Sequence, residues 1–373
     1  MVENKSNYKT AAGEFDMVVW GKVLLTLLAG GCCGWLMLKK KVPAGILVGA
    51  ICGSTLLNLC FGSALMPANA KLAAQITTGA FLGCGITRED IRHLPQVARP
   101  FAVVIGCFLA TNLLMGFLIW WTTPLDLLTS LLCAMPGGVS DTPLIAMDMG
   151  ADVPKVAVLQ FVRMVFGIGA LPGIIVMIDR ADARKDGVGA APERTAASKP
   201  GSSDGHTGTA SSLLLTLAVS AAGGIFGRWL GISAGTLTFS MIFAMLFKIG
   251  IYPRAHCPLW LRRIAQLLSG CCIGSSIARE DVLELRYLVL PALLLMAGYI
   301  LNCVLTGRLV HRLFGLSNRE GMLSASPAGA TEMAFIAADM GVNSPNLIVL
   351  QICRLITVMA VFPQIFALIL RFF

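Results

Sequence analysis

Charge is scarce in this sequence. Only 13% of its 373 residues are Asp, Glu, Lys or Arg, while 56% are hydrophobic; a soluble domain carries about 25% charge. A chain this poor in charge cannot cover a water-facing surface, so soluble enzyme folds are excluded. Histidine is scarcer still. His93, His206, His256 and His311 are the whole set, and none is paired at the i, i+3 or i+4 spacing that a copper or di-iron centre draws on. No GxSxG, Walker A, GxGxxG or HExxH element stands in a suitable context. The sequence therefore implies neither an enzyme nor a metal or other cofactor. Cysteines number 12, mostly inside apolar runs at no metal-like or disulfide-like spacing, and read as free thiols serving as small hydrophobes. The net charge of +9 comes from basic residues in short loops between apolar runs, where they set topology. It implies no nucleic-acid partner.

What the sequence has in quantity is apolar runs matched to a hydrocarbon layer about 30 Å thick. They fall at 17–38, 43–66, 72–87, 97–121, a broken stretch at 124–149, and 153–178, then again at 212–231, 234–252, 264–278, 287–307, a second broken stretch at 319–340, and 345–370. Residues 1–16 make an amino-terminal tail whose Glu3, Glu14 and Asp16 against Lys5 and Lys9 are the wrong balance for a secretory signal. Residues 17–178 form a first membrane repeat and 213–373 a second. Between them, 179–212 is rich in Ala, Gly, Ser and charge and reads as a flexible linker.

The second series is a copy of the first. Sliding the chain by 191 residues superposes Gln75–Pro172 on Gln266–Pro363 without a gap, with about 28 of 98 positions identical. Gly79, Gly83, Arg88, Glu89, Asp90 and Pro100 fall on Gly270, Gly274, Arg279, Glu280, Asp281 and Pro291. The strongest block places Pro136, Gly138, Asp148, Gly150, Pro154, Gln160 and Arg163 on Pro327, Gly329, Asp339, Gly341, Pro345, Gln351 and Arg354. If each broken stretch crosses the membrane, a half has six crossings and the copies are parallel; if each dips in and returns, a half has five and the copies are inverted. Counting Lys and Arg favours inversion narrowly, at about 18 inside to 8 outside, against about 16 to 10 for the better parallel arrangement. The arms of each break, about 10 to 12 residues, are also too short to span singly. The expected fold is thus all-α and polytopic: two homologous, inverted repeats of about five transmembrane helices, each with a broken, re-entrant hairpin.

The breaks carry the candidate chemistry. Pro136-Gly137-Gly138 and Pro327-Ala328-Gly329 expose backbone groups that survive in a membrane only inside protein or along a wet cavity. After each comes a hydroxyl and an acid, Ser140-Asp141 and Thr331-Glu332. These acids, with Asp148 and Asp339, are candidates for a coupling cation or proton; the alternative is that they cap helix amino termini. Arg163 and Arg354 each lie nine residues past a helix-starting proline, roughly 14 Å along the axis and near mid-membrane. A buried guanidinium there must meet a carboxylate, backbone carbonyls or a bound organic anion, and a purely structural pairing is the competing reading. Gln160 and Gln351, three residues earlier, share nearly the same face. Substrate contacts are accordingly expected from Arg163, Arg354, Gln160, Gln351, Gly137, Gly138, Ser140, Ala328, Gly329 and Thr331. The Arg-Glu-Asp triplets, at the end of the third span of each half, read as solvated helix-end features.

The two blocks, with GADVPKVAVLQFVR and GVNSPNLIVLQICR after them, resemble the bacterial AbrB-type membrane protein family, also labelled ammonia monooxygenase. The resemblance covers most of the chain apart from the tail and linker. It implies an integral protein of the bacterial inner membrane, with a role in regulating gene expression suggested by the family's name. The oxygenase label conflicts with the missing metal ligands. The architecture is similar to secondary transporters with inverted repeats and Gly-rich broken segments. The expected function is transport of a small solute, an organic anion, coupled to sodium or protons; a non-transporting membrane sensor is the alternative. Expected partners are that solute or ion, the lipid bilayer and a second copy of the chain as a homodimer.

Overall fold

In hydrocarbon a backbone can satisfy its own polar groups only as a helix or a closed barrel, and runs without strict alternation of polarity take the first course. The computed structural model describes residues 3–40, 42, 44–86, 88–185, 210–232, 234–253, 255, 257–327 and 345–372, and among these every regular element is helical. The first repeat comprises α1 (Glu3–Lys39), α2 (Gly45–Phe61), α3 (Ala68–Cys84), α4 (Arg88–Thr122), two short helices α5 (Leu127–Ala134) and α6 (Asp141–Met149), then α7 (Val153–Gly169) and α8 (Leu171–Lys185). The second comprises α9 (Ala210–Trp229), α10 (Gly235–Leu246) prolonged by a π-helical turn, α11 (Leu259–Ser275), α12 (Arg279–Glu284), α13 (Val289–Phe314), α14 (Asn318–Ser324) and α15 (Pro345–Ile369). Stretches of α1, α4, α9, α13 and α15 are long and apolar enough to cross a membrane alone, and α7 with α8, bent by 45°, makes a sixth span. The chain is a multi-pass, all-helical membrane protein.

Several boundaries differ from the sequence expectation. The helix of the first span already begins at Glu3, inside the expected tail, and α8 and α9 extend helix to Lys185 and from Ala210, inside the expected linker. The Arg-Glu-Asp triplets open α4 and α12 instead of closing the third span, because acids in a first turn complement the helix dipole. Their arginines reach across the repeats: Arg88 donates to the Ile249 and Gly250 carbonyls, and Arg279 to that of Leu59. Each ties off the end of the other repeat's second helix.

The first broken stretch re-enters. Pro136 drives Met135 into extended backbone (ψ 125°) and so ends α5 after eight residues. The chain then turns back through α6, and Gly150, at φ 78°, closes it. The amide of Asp152 donates to the Thr129 hydroxyl at 3.0 Å, so the end of the hairpin lies beside its start. α7 then rises along α5, with Gln160 and Arg163 reaching successively higher carbonyls. The hairpin adds no crossing, and with α1 to α4 and the bent α7–α8 pair each taken as one, the first repeat has five crossings, an odd number, which inverts the next copy. Cysteines placed at Thr122 and Ala151 are accordingly expected to react with an impermeant maleimide from one face of the membrane and a cysteine at Arg312 from the other, read by peptide mapping. Labelling of positions 122 and 151 from opposite faces would show a crossing.

The repeats are interlocked. α3 packs on α10 and α11 on α2, at glycines that admit the partner's backbone: a Cβ on Gly79 would stand 2.6 Å from that of Ser240 and 2.9 Å from the Leu237 carbonyl, and one on Gly270 at 2.6 Å from that of Ala50 and 2.8 Å from the Leu47 carbonyl. Small residues let helices approach where lipid offers no hydrophobic drive for association. α4 and α13 meet through equivalent positions too, Thr111 donating to Asn302 at 3.1 Å. Two bundles result. One holds α1–α3 with α9–α11; the other holds α4–α8 with α13–α15. The principal helix contacts between them, among the described residues, are α3 with α6 and α11 with α6 and α7. The hairpin therefore stands at the seam.

Candidate functional site

A helix that stops in mid-membrane leaves its last carbonyls without amide partners. At the end of α5 the sequence supplies donors from α7 and from the other repeat. Gln160 Nε2 donates to the Leu132 and Met135 carbonyls, both at 3.0 Å. Arg163 Nη1 donates to the Met135 carbonyl at 2.8 Å and Nη2 to that of Gly137. The Tyr299 hydroxyl, from α13, donates to the Ala134 carbonyl at 2.8 Å. A guanidinium at a helix carboxyl end also meets the negative end of the dipole. The second repeat repeats the device: Gln351 Nε2 donates to the Leu323 carbonyl at 2.6 Å, and Arg354 Nη1 to that of Ser326. Phe108, the counterpart of Tyr299 under the 191-residue shift, has no hydroxyl and instead lies beneath Arg354, 5.1 Å from ring centre to guanidinium. Of the partners open to them from sequence, both arginines take backbone carbonyls.

The other side of the tip is acidic. Asp141 opens α6 and is 4% exposed. Its carboxylate folds back over the backbone of Gly138, where any side chain would collide with it. It accepts a hydrogen bond from the Ser140 hydroxyl at 3.1 Å, and Ser140 makes no side-chain cap. Neither side chain hydrogen-bonds the free amides of the helix, although Asp141 stands in its first turn, where an acid complements the dipole. Thr142, fully buried, places its hydroxyl over Gly137 without a hydrogen-bond partner.

Asp148 is not with this group. It sits at the far end of α6, where Lys71 of α3 pairs with it at 2.7 Å and Gln75 donates to it at 2.6 Å. It joins the two bundles. Arg163, Gln160, Gly137, Gly138, Ser140 and Asp141 thus converge on one tip, while Arg354 and Gln351 hold the start of the other; Ala328, Gly329, Thr331, Glu332 and Asp339 lie outside the described residues. Sequence reasoning missed Lys71, Thr142 and Tyr299. Lys71 did carry a signal, since the 191-residue shift places it on Arg262 as it places Asp148 on Asp339. Thr142 and Tyr299, which face Met333 and Phe108 in the same alignment, carried none.

A family model described as "Transition state regulatory protein AbrB" matches residues 2–179 and again 185–370, one match to each repeat. Among curated proteins, one named "Putative regulator AbrB" from Escherichia coli (strain K12) is 25% identical over 354 residues, covering 93% of this chain and 95% of its own. The "Uncharacterized protein YhjN" of Bacillus subtilis (strain 168) is 23% identical over 303 residues, 79% of this chain and 77% of its own. The double match falls on the halves that the glycine seams and paired arginines relate by symmetry, and the chain belongs to the AbrB family.

Proposed function

We propose that this protein is a secondary transporter of a small organic anion, coupled to a cation, working by movement of the hairpin-bearing bundle against the bundle of α1–α3 and α9–α11. One observation carries the reading: an interrupted, re-entrant helix with a buried acid and a buried guanidinium at its tip stands at the seam between two bundles that share few helix contacts. Backbone broken at that depth is stable only within protein or beside a hydrated cavity. The paired guanidiniums of Arg163 and Arg354 bias the centre towards anions, while their carbonyl partners make them holders of the tips as much as ligands. In this reading Asp141 is the coupling site at the first tip, and Glu332 holds the corresponding sequence position at the second. Asp148, engaged by Lys71 and Gln75, acts as a latch between bundles, and Asp339 takes the matching position in the other repeat.

A second reading, a membrane sensor that binds its ligand without moving it, is favoured by the regulator names of the family and of the Escherichia coli relative. Reconstitution separates the two. Vesicles holding the protein and an imposed sodium or proton gradient are expected to accumulate at least one organic acid from a radiolabelled panel, and Asp141→Asn is expected to remove the gradient dependence. Saturable binding with no flux under any gradient would favour the sensor.

A further inference from the structure

We infer that the tip of the first hairpin binds one sodium ion, held by the Asp141 carboxylate and the Thr142 hydroxyl. This rests on the transporter reading above and names its coupling ion. Asp141 is buried, accepts its hydrogen bond from Ser140, and has no cation among the described residues within ion-pairing distance. Both terminal nitrogens of Arg163 are engaged by carbonyls. A carboxylate in that position must be neutralised by a proton or a cation.

Thr142, beside Asp141 at the tip, favours the cation. Buried hydroxyls in native structures are nearly always hydrogen-bonded, and one that is not needs an explanation such as a bound ion or water. Its oxygen and a carboxylate oxygen of Asp141 lie over successive residues of the tip, Gly137 and Gly138, so two oxygens from adjacent residues face one short stretch of broken backbone. A hard cation takes carboxylate, hydroxyl and carbonyl oxygens together and accounts for both groups at once. One carboxylate balances one positive charge, whereas a divalent ion would add an unmatched charge beside Arg163. Sodium is the monovalent metal ion whose gradient the transporter reading invokes, and potassium serves as its comparison below. The second hairpin has Met333 at the position of Thr142, so one ion per chain is expected. With the carboxylate neutralised, Arg163 and Arg354 attract an anion more strongly, and by linkage the anion tightens the ion in return.

The test is thermal unfolding of the purified full-length protein in detergent, in sodium chloride against choline and potassium chloride at constant ionic strength. Sodium is expected to raise Tm saturably, choline and potassium little. Thr142→Val keeps the side chain's volume and removes an unpaired hydroxyl, so it should melt at or above wild type without sodium while binding sodium at least about tenfold more weakly. Asp141→Asn should lose the sodium shift altogether. A sodium shift undiminished in Thr142→Val, or a wild-type Tm that ignores sodium and follows pH alone, overturns the assignment, the latter in favour of a proton. Sodium stabilisation without uptake in vesicles would leave the ion site standing and remove the transporter reading.

Discussion

Arg163→Met is expected to destabilise the protein by about 3 kcal/mol or more, from two charge-assisted hydrogen bonds of about 1.5–3 kcal/mol each and the Gly137 carbonyl left without the guanidinium, while the Met135 carbonyl keeps Gln160. The loss follows from what the guanidinium holds. Met135 and Gly137 lie on either side of the proline that ends α5, and Arg163 bridges them. Methionine approximates the volume, so the deficit reports the bonds more than the packing. Arg163→Lys should recover less than half of it, because a single ammonium cannot reproduce the planar fork across two carbonyls. Chemical or thermal unfolding in detergent reads both variants, and vesicle uptake should fall with stability. An Arg163→Met protein that melts with wild type but no longer binds an anion would instead make the guanidinium a substrate ligand.

The second large effect concerns motion. Lys71 and Asp148 join α3 to α6 across the seam at 2.7 Å, and if the bundles slide or rock past one another this contact must break in each cycle. A protein carrying Lys71→Cys and Asp148→Cys, joined by a short bifunctional maleimide, is expected to drop to the uptake of empty vesicles. Each single variant, treated alike, should keep most of its flux. The sodium shift in Tm should survive the cross-link, because the ion site lies at the other end of α6. Undiminished uptake by the fully cross-linked protein would show that the bundles need not separate there.

Much of this fold was legible because it was written twice. Two copies of a Pro-Gly break, an arginine and a helix-starting proline at equal spacing gave the repeats, the first hairpin and the burial of Arg163 and Arg354 without any structure. What the sequence withheld were partners distant along the chain. Nothing local distinguishes an arginine that seeks a carboxylate from one that closes a helix end. α3 and α11 carry Gln75, Thr78, Gln266 and Ser269 within apolar runs, and they pack inside their bundle with Gly79 and Gly270 against the opposite repeat's backbone. The triplets at Arg88 and Arg279 were misplaced by one element for a similar reason: their ligands, the carbonyls of Ile249, Gly250 and Leu59, belong to the other half.

The exchange of partners at the glycine seams bears on ancestry. Neither half can bury its third helix against its own second; each relies on the copy of opposite sense. A half-length forebear built this way would have needed to enter the bilayer in both orientations and pair head to tail with itself, and fusion of two genes would have fixed one orientation for each half. The basic loops that now orient each repeat would then be a later acquisition, made once the two copies were free to diverge.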